Sequence, residues 1–180
     1  MWTLKKPDRV KLIIGILAAN DEMLSGAVDM IKDKFGKCDL ESQAWPFRHT
    51  EYYAKETGSE IVKKFITVEK LIKPDKLAEI KLKTNKMEAK LSRLPGVIFS
   101  RPVNLDPGYI EPSKLVLAST KNFSHRIYIG KNIWAEVTLV YNKGRWMSFE
   151  YTFPDHKEER YHGFFSQVRD KLNEQLRQVC

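Results

Sequence analysis

Three consecutive β-strand patterns, joined by two tight turns, constrain the fold of this chain more than any other feature. The strand patterns cover residues 125–129, 133–141 and 145–153, and the turns are Gly130-Lys131-Asn132 and Asn142-Lys143-Gly144. A three-residue hairpin loop ends on a residue with a left-handed backbone conformation, which Asn and Gly tolerate. The pattern therefore predicts an antiparallel three-stranded meander.

Three-residue loops would also fix which side chains of the meander share a face, because side chains alternate along a strand. The apolar face would pair Ile129 with Ile133, Ile127 with Ala135, His125 with Val137, Leu139 with Met147, Val137 with Phe149 and Ala135 with Tyr151. The other face would align Arg126 with Glu136, and Glu136 with Glu150. Opposed carboxylates weaken a sheet by about 0.2–1 kcal/mol. This row is therefore either a solvated ion pair with a tolerated neighbour or a site that uses paired carboxylates.

The composition is that of a basic globular protein. Of the 180 residues, 42% are hydrophobic and 30% are charged, and the net charge is +8. This balance fits a single domain, residues 1–180, with an anionic partner such as a phosphate ligand or nucleic acid. The apolar run at 12–19 is too short for a signal peptide or a membrane span, so we expect no membrane partner. Cys38 and Cys180 form no metal or disulfide motif, which makes the cytoplasm the expected location.

The order of the remaining patterns predicts an α+β fold. Strands are predicted at 10–19, 39–47, 97–106 and 114–120, and helices at 75–94 and 158–179. A helix also follows the first strand, with Asn20 or Asp21 as its N-cap and Gly36 at its end. Residues 60–72 fit either a helix or a strand, and β-branched residues at 61–68 favour the strand. Residues 1–106 thus have the order of a ferredoxin-like βαββαβ unit. The meander extends it, and the C-terminal helix of the half 107–180 packs on the sheet.

Polar residues in and around the meander are the candidates for chemistry. Side chains that would hold an anionic group such as phosphate are Asn104, Lys114, Lys121 and Arg126. Side chains that would act as general acids or bases are Asp106, His125, Glu136 and Glu150, and the three carboxylates would also suit Mg²⁺. Structural roles are the alternatives. Asp106 precedes Pro107-Gly108, as turn formers do, and His125 falls on the apolar side in this register.

A second polar line lies on the predicted helix at 75–94. An apolar stripe on this helix faces the sheet, and Lys81, Asn85 and Glu88 follow on a neighbouring face. This line is either ordinary helix surface or part of the cleft that holds Arg126 and Glu136.

Several long segments resemble a prokaryotic family known as domain of unknown function 4416. The segments are RPVNLDPGYI, KLVLASTKNFSHRIYIGKNIWAEVTLVY, KLKTN and TEYY, and the resemblance covers nearly the whole chain. It draws attention to matching positions without assigning them roles: Thr50, Tyr53, Asn85, Asn104, Asp106, Tyr109, Lys114, Lys121, His125, Arg126 and Glu136. Some members carry a GTP-binding label, but this sequence has no G-x-x-x-x-G-K-[ST] phosphate loop.

The sequence favours two functions, with a non-catalytic assembly protein as a third alternative, and it does not decide whether the protein is an enzyme. The first is a small anionic ligand, phosphate-containing or a nucleotide, bound in a cleft of mixed carboxylates and cations, with Mg²⁺-assisted phosphate chemistry as an extension. The second is a basic RNA- or DNA-binding module with Trp45, Tyr52, Tyr53 and Trp134 as stacking groups. Metal-capable residues also occur at 49–51 and at Asp155-His156, without diagnostic spacing.

Overall fold

The computed structural model describes residues 3–47, 57 and 60–179. Within these residues, nine strands form one sheet, and helices pack on both of its faces. The strands are β1 Lys11–Ala18, β2 Cys38–Glu41, β3 Trp45–Pro46, β4 Val62–Val68, β5 Val103–Glu111, β6 Lys114–Ser119, β7 Ile127–Gly130, β8 Ile133–Asn142 and β9 Arg145–Ser148. The helices are α1 Asp21–Phe35, α2 Leu77–Leu91 and α3 Glu159–Val179. Single 3₁₀ turns, Pro74–Lys76 and Pro154–Lys157, precede α2 and α3.

The sheet has the order β2-β4-β1-β5-β6-β8-β7, with β3 also paired to β4 and β9 to β8. Every one of these pairings is antiparallel. The expected α+β fold with a largely antiparallel sheet and a C-terminal helix on it is therefore confirmed. The predicted strand at 39–47 is divided into β2 and β3, and the ambiguous segment at 60–72 contains β4.

The first strand lies at the centre of the sheet and is buried along its whole length. Its even-numbered side chains, such as Leu12, Ile14 and Ile16, pack against α1 and α2. The side chain of Asn20 accepts a hydrogen bond from the Met23 N–H and so caps α1, as the sequence predicted. The opposite face of the sheet packs against the aromatic side of α3.

The meander forms, but both of its loops are one residue shorter than predicted. Lys131 and Asn132 form the first loop with φ values of 57° and 58°, and Lys143 and Gly144 form the second with 49° and 82°. Two-residue loops in which both residues are left-handed match the twist of the flanking strands. Such loops therefore form here in place of the predicted three-residue loops.

The shorter loops have different effects on the two hairpins. In the first, the pair Ile127 with Ala135 is confirmed, because a bulge between Tyr128 and Gly130 restores the register; the pair Ile129 with Ile133 is wrong, since Gly130 lies opposite Ile133. In the second hairpin no bulge compensates and the whole predicted register is wrong. Leu139 pairs with Ser148, and Glu136 does not pair with Glu150.

The motif Asp106-Pro107-Gly108 is not a turn, contrary to one of its predicted roles. It lies inside β5, where Asp106 pairs with Gly15 of β1 and Gly108 pairs with both Ile13 and Leu117. A Cβ atom on Gly108 would lie 2.3 Å from the Val116 carbonyl oxygen, so the close approach of β5 and β6 requires glycine at this position.

The two strands part immediately beyond this contact. Pairing of β5 with β6 runs only from Gly108 to Glu111, whereas β5 stays paired with β1 as far as Val103. Strand β6 instead follows β8 as far as Ser119. The sheet therefore opens between β5 and β6 near one end, and this opening positions the candidate site.

Candidate functional site

A pocket of about 180 Å³ lies at the parting of β5 and β6. This volume is below the roughly 300–1,000 Å³ of pockets for drug-sized ligands, so the pocket suits a compact molecule. Five cationic side chains and three carboxylates line it. The cations are Lys63, Lys81, Arg101, Lys121 and Arg126, and the carboxylates are Asp106, Glu136 and Asp155. The sequence predicted all three of Lys121, Arg126 and Glu136 in one cleft, and the structure brings them together there.

One wall of the pocket is a buried cluster of Lys63, Asp155 and His156. Lys63 Nζ donates a hydrogen bond to Asp155 Oδ2 at 2.8 Å, and the two side chains are only 3% and 7% exposed. His156 Nδ1 lies 3.1 Å from the other carboxylate oxygen. The ammonium group also lies 5.2 Å from the centroid of the Phe65 ring and 5.7 Å from that of Phe47. Aromatic faces stabilise a desolvated cation at this distance.

The charge state of Asp155 follows from this cluster. Burial alone would raise the pKa of its carboxyl, but Lys63 and His156 outweigh burial and hold the pKa well below its usual range. Asp155 is therefore ionised at neutral pH and accepts hydrogen bonds from its two neighbours.

A second wall forms where α2 reaches the sheet. Lys81 extends from α2 and donates a hydrogen bond to the Leu105 carbonyl at 2.7 Å, and its Nζ lies 3.5 Å from Asp106 Oδ1. Asn104 donates to the other oxygen of Asp106 at 2.6 Å. The predicted line on α2 thus contributes Lys81 to the cleft, as one of its two interpretations required.

Glu88, the third residue of that line, does not line the pocket but holds in place residues that do or that adjoin it. Its carboxylate accepts the Leu105 N–H at 2.8 Å and a hydrogen bond from Arg101 at 3.1 Å, and Arg101 also binds Asn104. Burial raises the pKa of Glu88 despite the nearby Lys81 and Arg101. Asn85 is half-buried on α2 and does not line the pocket.

The third wall is organised around the buried carboxylate of Glu136 on β8. Arg126 Nε donates to Glu136 Oε2 at 2.8 Å, His125 Nε2 lies 3.0 Å from the same oxygen, and Thr138 donates to Oε1 at 3.1 Å. The His125 ring stacks on Tyr151, with centroids 4.1 Å apart. His125 precedes β7 and does not pair with Val137, so its predicted place on the apolar side of a strand is wrong.

Glu150 and Lys114, two further residues of the predicted site, also lie away from the pocket. Glu150 is exposed in the turn that follows β9, which ends at Ser148. Lys114 pairs with Glu111 at 2.6 Å, at the far end of the β5–β6 contact. Thr50, Tyr52 and Tyr53, and the metal-capable segment 49–51, lie outside the described residues. Trp45 is buried in the core beside Tyr161 rather than presented for stacking.

The sequence missed Lys63 and Arg101 as pocket residues and indicated Asp155 and His156 only as metal-capable residues without diagnostic spacing. Lys63 belongs to a Lys-Lys pair in a β-pattern, which is typical of a solvated edge, yet it is buried. Asp155 and His156 follow Pro154 in a short 3₁₀ turn, a pattern typical of a helix start. Only the clustering of these residues in space identifies them. Over the part of the chain that the structure describes, no group of three or more His, Cys, Asp or Glu residues is placed to hold a metal ion.

All of the pocket residues lie in the part of the chain that matches a known protein family. The sequence model described as Domain of unknown function (DUF4416) matches residues 8–172, and the chain belongs to this family. The comparison with curated proteins found no match, and neither did the comparison with solved structures. Among the described residues, no helix has the length and apolar character needed to cross a membrane.

Proposed function

We propose that this protein binds a small phosphate-containing anion in the pocket at the parting of β5 and β6. The observation that carries the proposal is the presence of two buried lysine ammonium groups on one small cavity. The side chains of Lys63 and Lys81 are only 3% and 5% exposed, and both line the pocket. Burying an ammonium group is costly, and each lysine has one carboxylate partner, Asp155 for Lys63 and the more distant Asp106 for Lys81. An anion in the cavity would offset more of that cost, which favours an anionic occupant.

Unused donor capacity supports the same conclusion. An ammonium group has three N–H donors, and among the described residues Lys63 donates one hydrogen bond, to Asp155. Arg126 uses Nε on Glu136 and one terminal nitrogen on the Lys121 carbonyl, and the guanidinium has further N–H groups. These donors, with the exposed Lys121 at the rim, are the chemistry that recognises phosphate.

The charge balance also favours an anion. Each of the three carboxylates already has a cationic partner: Asp155 has Lys63, Asp106 has Lys81, and Glu136 has Arg126. The lining as a whole has five cationic side chains against three carboxylates, and Arg101 also pairs with Glu88 behind the pocket. A cavity with this surplus attracts small anions and holds them away from water.

The proposal includes the finer description of the fold. The order β2-β4-β1-β5 in the first part of the sheet, all antiparallel and with α1 and α2 on one face, supports a ferredoxin-like unit in residues 1–106. We also keep the cytoplasm as the expected place of action, on the sequence composition.

The direct test is a thermal-shift and calorimetric screen with inorganic phosphate, sugar phosphates and nucleotides. A ligand at a hundred times its dissociation constant stabilises the folded state by about 2.7 kcal/mol. Lys121→Gln should weaken binding by up to about fivefold, the value of an exposed ion pair. The matched control is Lys143→Gln in the β8–β9 loop, which should leave affinity unchanged. Absence of stabilisation by every phosphate compound would refute the proposal.

A second candidate function is supported by the outer face of α1 and α2. A groove of about 420 Å³ between these helices carries Lys34, Lys83, Lys86 and Lys90, with Asp33 as its one acidic lining residue. Among the described residues none of these four lysines has an ion-pair partner, so the face would suit the phosphate backbone of RNA or DNA. Replacing Lys83, Lys86 and Lys90 by Gln should lower the salt dependence of binding to a single-stranded oligonucleotide. Binding by the wild type that is indifferent to salt would exclude this candidate.

A further inference from the structure

Resting on the proposed function, we infer that the pocket selects a protonated phosphate and rejects sulfate. The ligand would be hydrogen phosphate, or a phosphate monoester that keeps one P–OH group. The residue that makes this selection is Asp106, because it offers the ligand a hydrogen-bond acceptor that an oxyanion without a proton cannot satisfy.

Asp106 is the accessible carboxylate of the pocket. Its side chain is 32% exposed, whereas those of Glu136 and Asp155 are 3% and 7% exposed. A ligand that enters the pocket therefore meets the carboxylate of Asp106 before the other two.

One oxygen of Asp106 is also more weakly hydrogen-bonded than any carboxylate oxygen of Glu136 or Asp155. Oδ2 accepts a short hydrogen bond from Asn104, but Oδ1 has only Lys81 as a partner, at 3.5 Å, the limit of a hydrogen bond. Glu136 has three donors around its two oxygens, and each oxygen of Asp155 has a partner at 2.8–3.1 Å. A carboxylate has about four lone-pair positions, so Asp106 can accept at least one more hydrogen bond from a ligand.

The carboxyl group of Asp106 is ionised at neutral pH and acts only as an acceptor. Burial would raise its pKa, but Lys81 and Lys63, followed by His156 and Arg101, hold that pKa below the usual value. Lys81, Lys63 and Arg101 keep the pocket attractive to anions, and the single accessible carboxylate repels any oxyanion oxygen that carries no hydrogen.

Phosphate and sulfate differ in this one property. Inorganic phosphate keeps a P–OH group across the neutral range, and a phosphate monoester loses its last proton with a pKa near 6. Sulfate has no proton to donate. A site built to accept a hydrogen bond from its ligand discriminates strongly against analogues that lack the donor, because its acceptor is then left unpaired.

The test is calorimetric titration with inorganic phosphate, methyl phosphate and sulfate at pH 5.5 and pH 8. We expect the wild type to prefer inorganic phosphate over sulfate by about 10- to 150-fold, the range of a hydrogen bond to a charged group. Methyl phosphate should bind at least about tenfold more weakly at pH 8 than at pH 5.5, since its last proton is lost between these values. Inorganic phosphate should bind at both pH values, because it keeps a P–OH group at each of them.

Two variants test whether Asp106 is the source of the preference for phosphate over sulfate. In Asp106→Asn the side chain can turn its amide N–H₂ to the ligand, so sulfate affinity should rise and the preference should fall towards one. Glu111→Gln, on the same strand but outside the pocket, should keep the wild-type preference. If Asp106→Asn fails to fold, the phosphate-to-sulfate ratio and the pH dependence of methyl phosphate in the wild type still decide the matter.

The outcomes separate this inference from the proposed function. Equal binding of phosphate and sulfate by the wild type, or a preference that Asp106→Asn leaves intact, would overturn the inference while the anion pocket stands. Failure of all three anions to bind would overturn the inference, and failure of the sugar phosphates and nucleotides as well would overturn the proposed function.

Discussion

Two buried lysine–aspartate pairs lie on the α3 face of the sheet, at opposite ends of β1, and they differ in what surrounds them. At one end Lys11 pairs with Asp39, and at the other end Lys63 pairs with Asp155. Both lysines are almost fully buried. Neither member of the first pair lines the pocket, whereas both members of the second pair do.

The first pair is closed because each member has further protein partners. Lys11 Nζ donates to Asp39, to Gln175 Oε1 at 2.8 Å and to the Glu69 carbonyl at 3.4 Å. Thr67 donates to the remaining oxygen of Asp39 at 2.6 Å. All three ammonium donors are therefore satisfied, and burial lowers the pKa of Lys11 even though Asp39 raises it.

The second pair is open because its lysine has donors left over. Among the described residues Lys63 donates only to Asp155, and the rest of the ammonium group faces aromatic rings and the cavity. The same type of residue pair thus holds elements together at one end of the sheet and, in the function that we propose, forms part of a binding site at the other. The number of acceptors supplied by the protein makes the difference.

The largest expected effect comes from breaking the closed pair. Lys11→Met leaves Asp39 ionised, nearly buried and without a cation, so we expect the free energy of unfolding to fall by about 3–5 kcal/mol. Denaturant unfolding measures this change. The double variant Lys11→Met/Asp39→Leu should recover most of the loss, because an apolar pair can replace a buried ion pair. A loss below about 1 kcal/mol in the single variant would show that this pair does not hold the fold together.

Breaking the open pair should cost less stability. In Lys63→Met, Asp155 keeps His156 and can be reached by water from the pocket, so we expect a loss of about 1–3 kcal/mol. Denaturant unfolding under the same conditions as for Lys11→Met makes the comparison. A larger loss than that of Lys11→Met would contradict the distinction between an open and a closed pair.

Lowering the pH should weaken both lysine–aspartate pairs. The pKa values of Asp39 and Asp155 are held low in the folded protein, so each contributes stability that is present above the ordinary aspartate pKa. That contribution is lost as the pH falls through the lower folded values. Below about pH 4, the free energy of unfolding should depend less steeply on pH in each of the double variants Lys11→Met/Asp39→Leu and Lys63→Met/Asp155→Leu. The reduction in slope should correspond to at most one proton taken up on unfolding. An unchanged slope in either variant would show that the carboxylate it removes does not have a lowered pKa.

The smallest effect on stability is expected at Glu88, and its pH dependence has the opposite sign to that of Asp39 and Asp155. Burial raises its pKa, so its stabilising contribution is present below the ordinary glutamate pKa and is lost as the pH rises through the folded value. Glu88→Gln should remove this dependence and change stability at pH 7 by less than about 1 kcal/mol, because the amide oxygen can still accept the Leu105 N–H. A large loss at pH 7 would show that the ion pair with Arg101 dominates.

The sequence predicted the elements whose patterns are long and local. Strand β1, the capped helix α1 and the amphipathic helix α3 all follow from apolar periodicity and from Asn20 and Gly36 at the ends of α1. The meander also formed. Its register depended on one residue per loop and on bulges, and a bulge between Val137 and Leu139 turns their side chains to opposite faces. Such irregularities leave no clear trace in the alternation of apolar residues.

The candidate site was predicted most directly where polar residues are close in sequence, and Lys81 on α2 was assigned to it only as one of two alternatives. His125, Arg126 and Glu136 meet across one hairpin, so a local pattern was enough. Lys63 and Asp155 are 92 positions apart and meet only because β4 and the turn before α3 lie at the same end of the sheet. The opening between β5 and β6 is likewise a property of the assembled sheet, and the motif Asp106-Pro107-Gly108 looks like a turn until its strand partners are known.

Titration of inorganic phosphate into the two double variants tests the central claim most directly. Both variants exchange one buried lysine–aspartate pair for apolar side chains on the same face of the same sheet, and each is compared with the wild type by calorimetry. The account predicts that Lys11→Met/Asp39→Leu binds phosphate as the wild type does and that Lys63→Met/Asp155→Leu binds at least about tenfold more weakly, the loss of one hydrogen bond to a charged group. Wild-type affinity in both folded variants would contradict it.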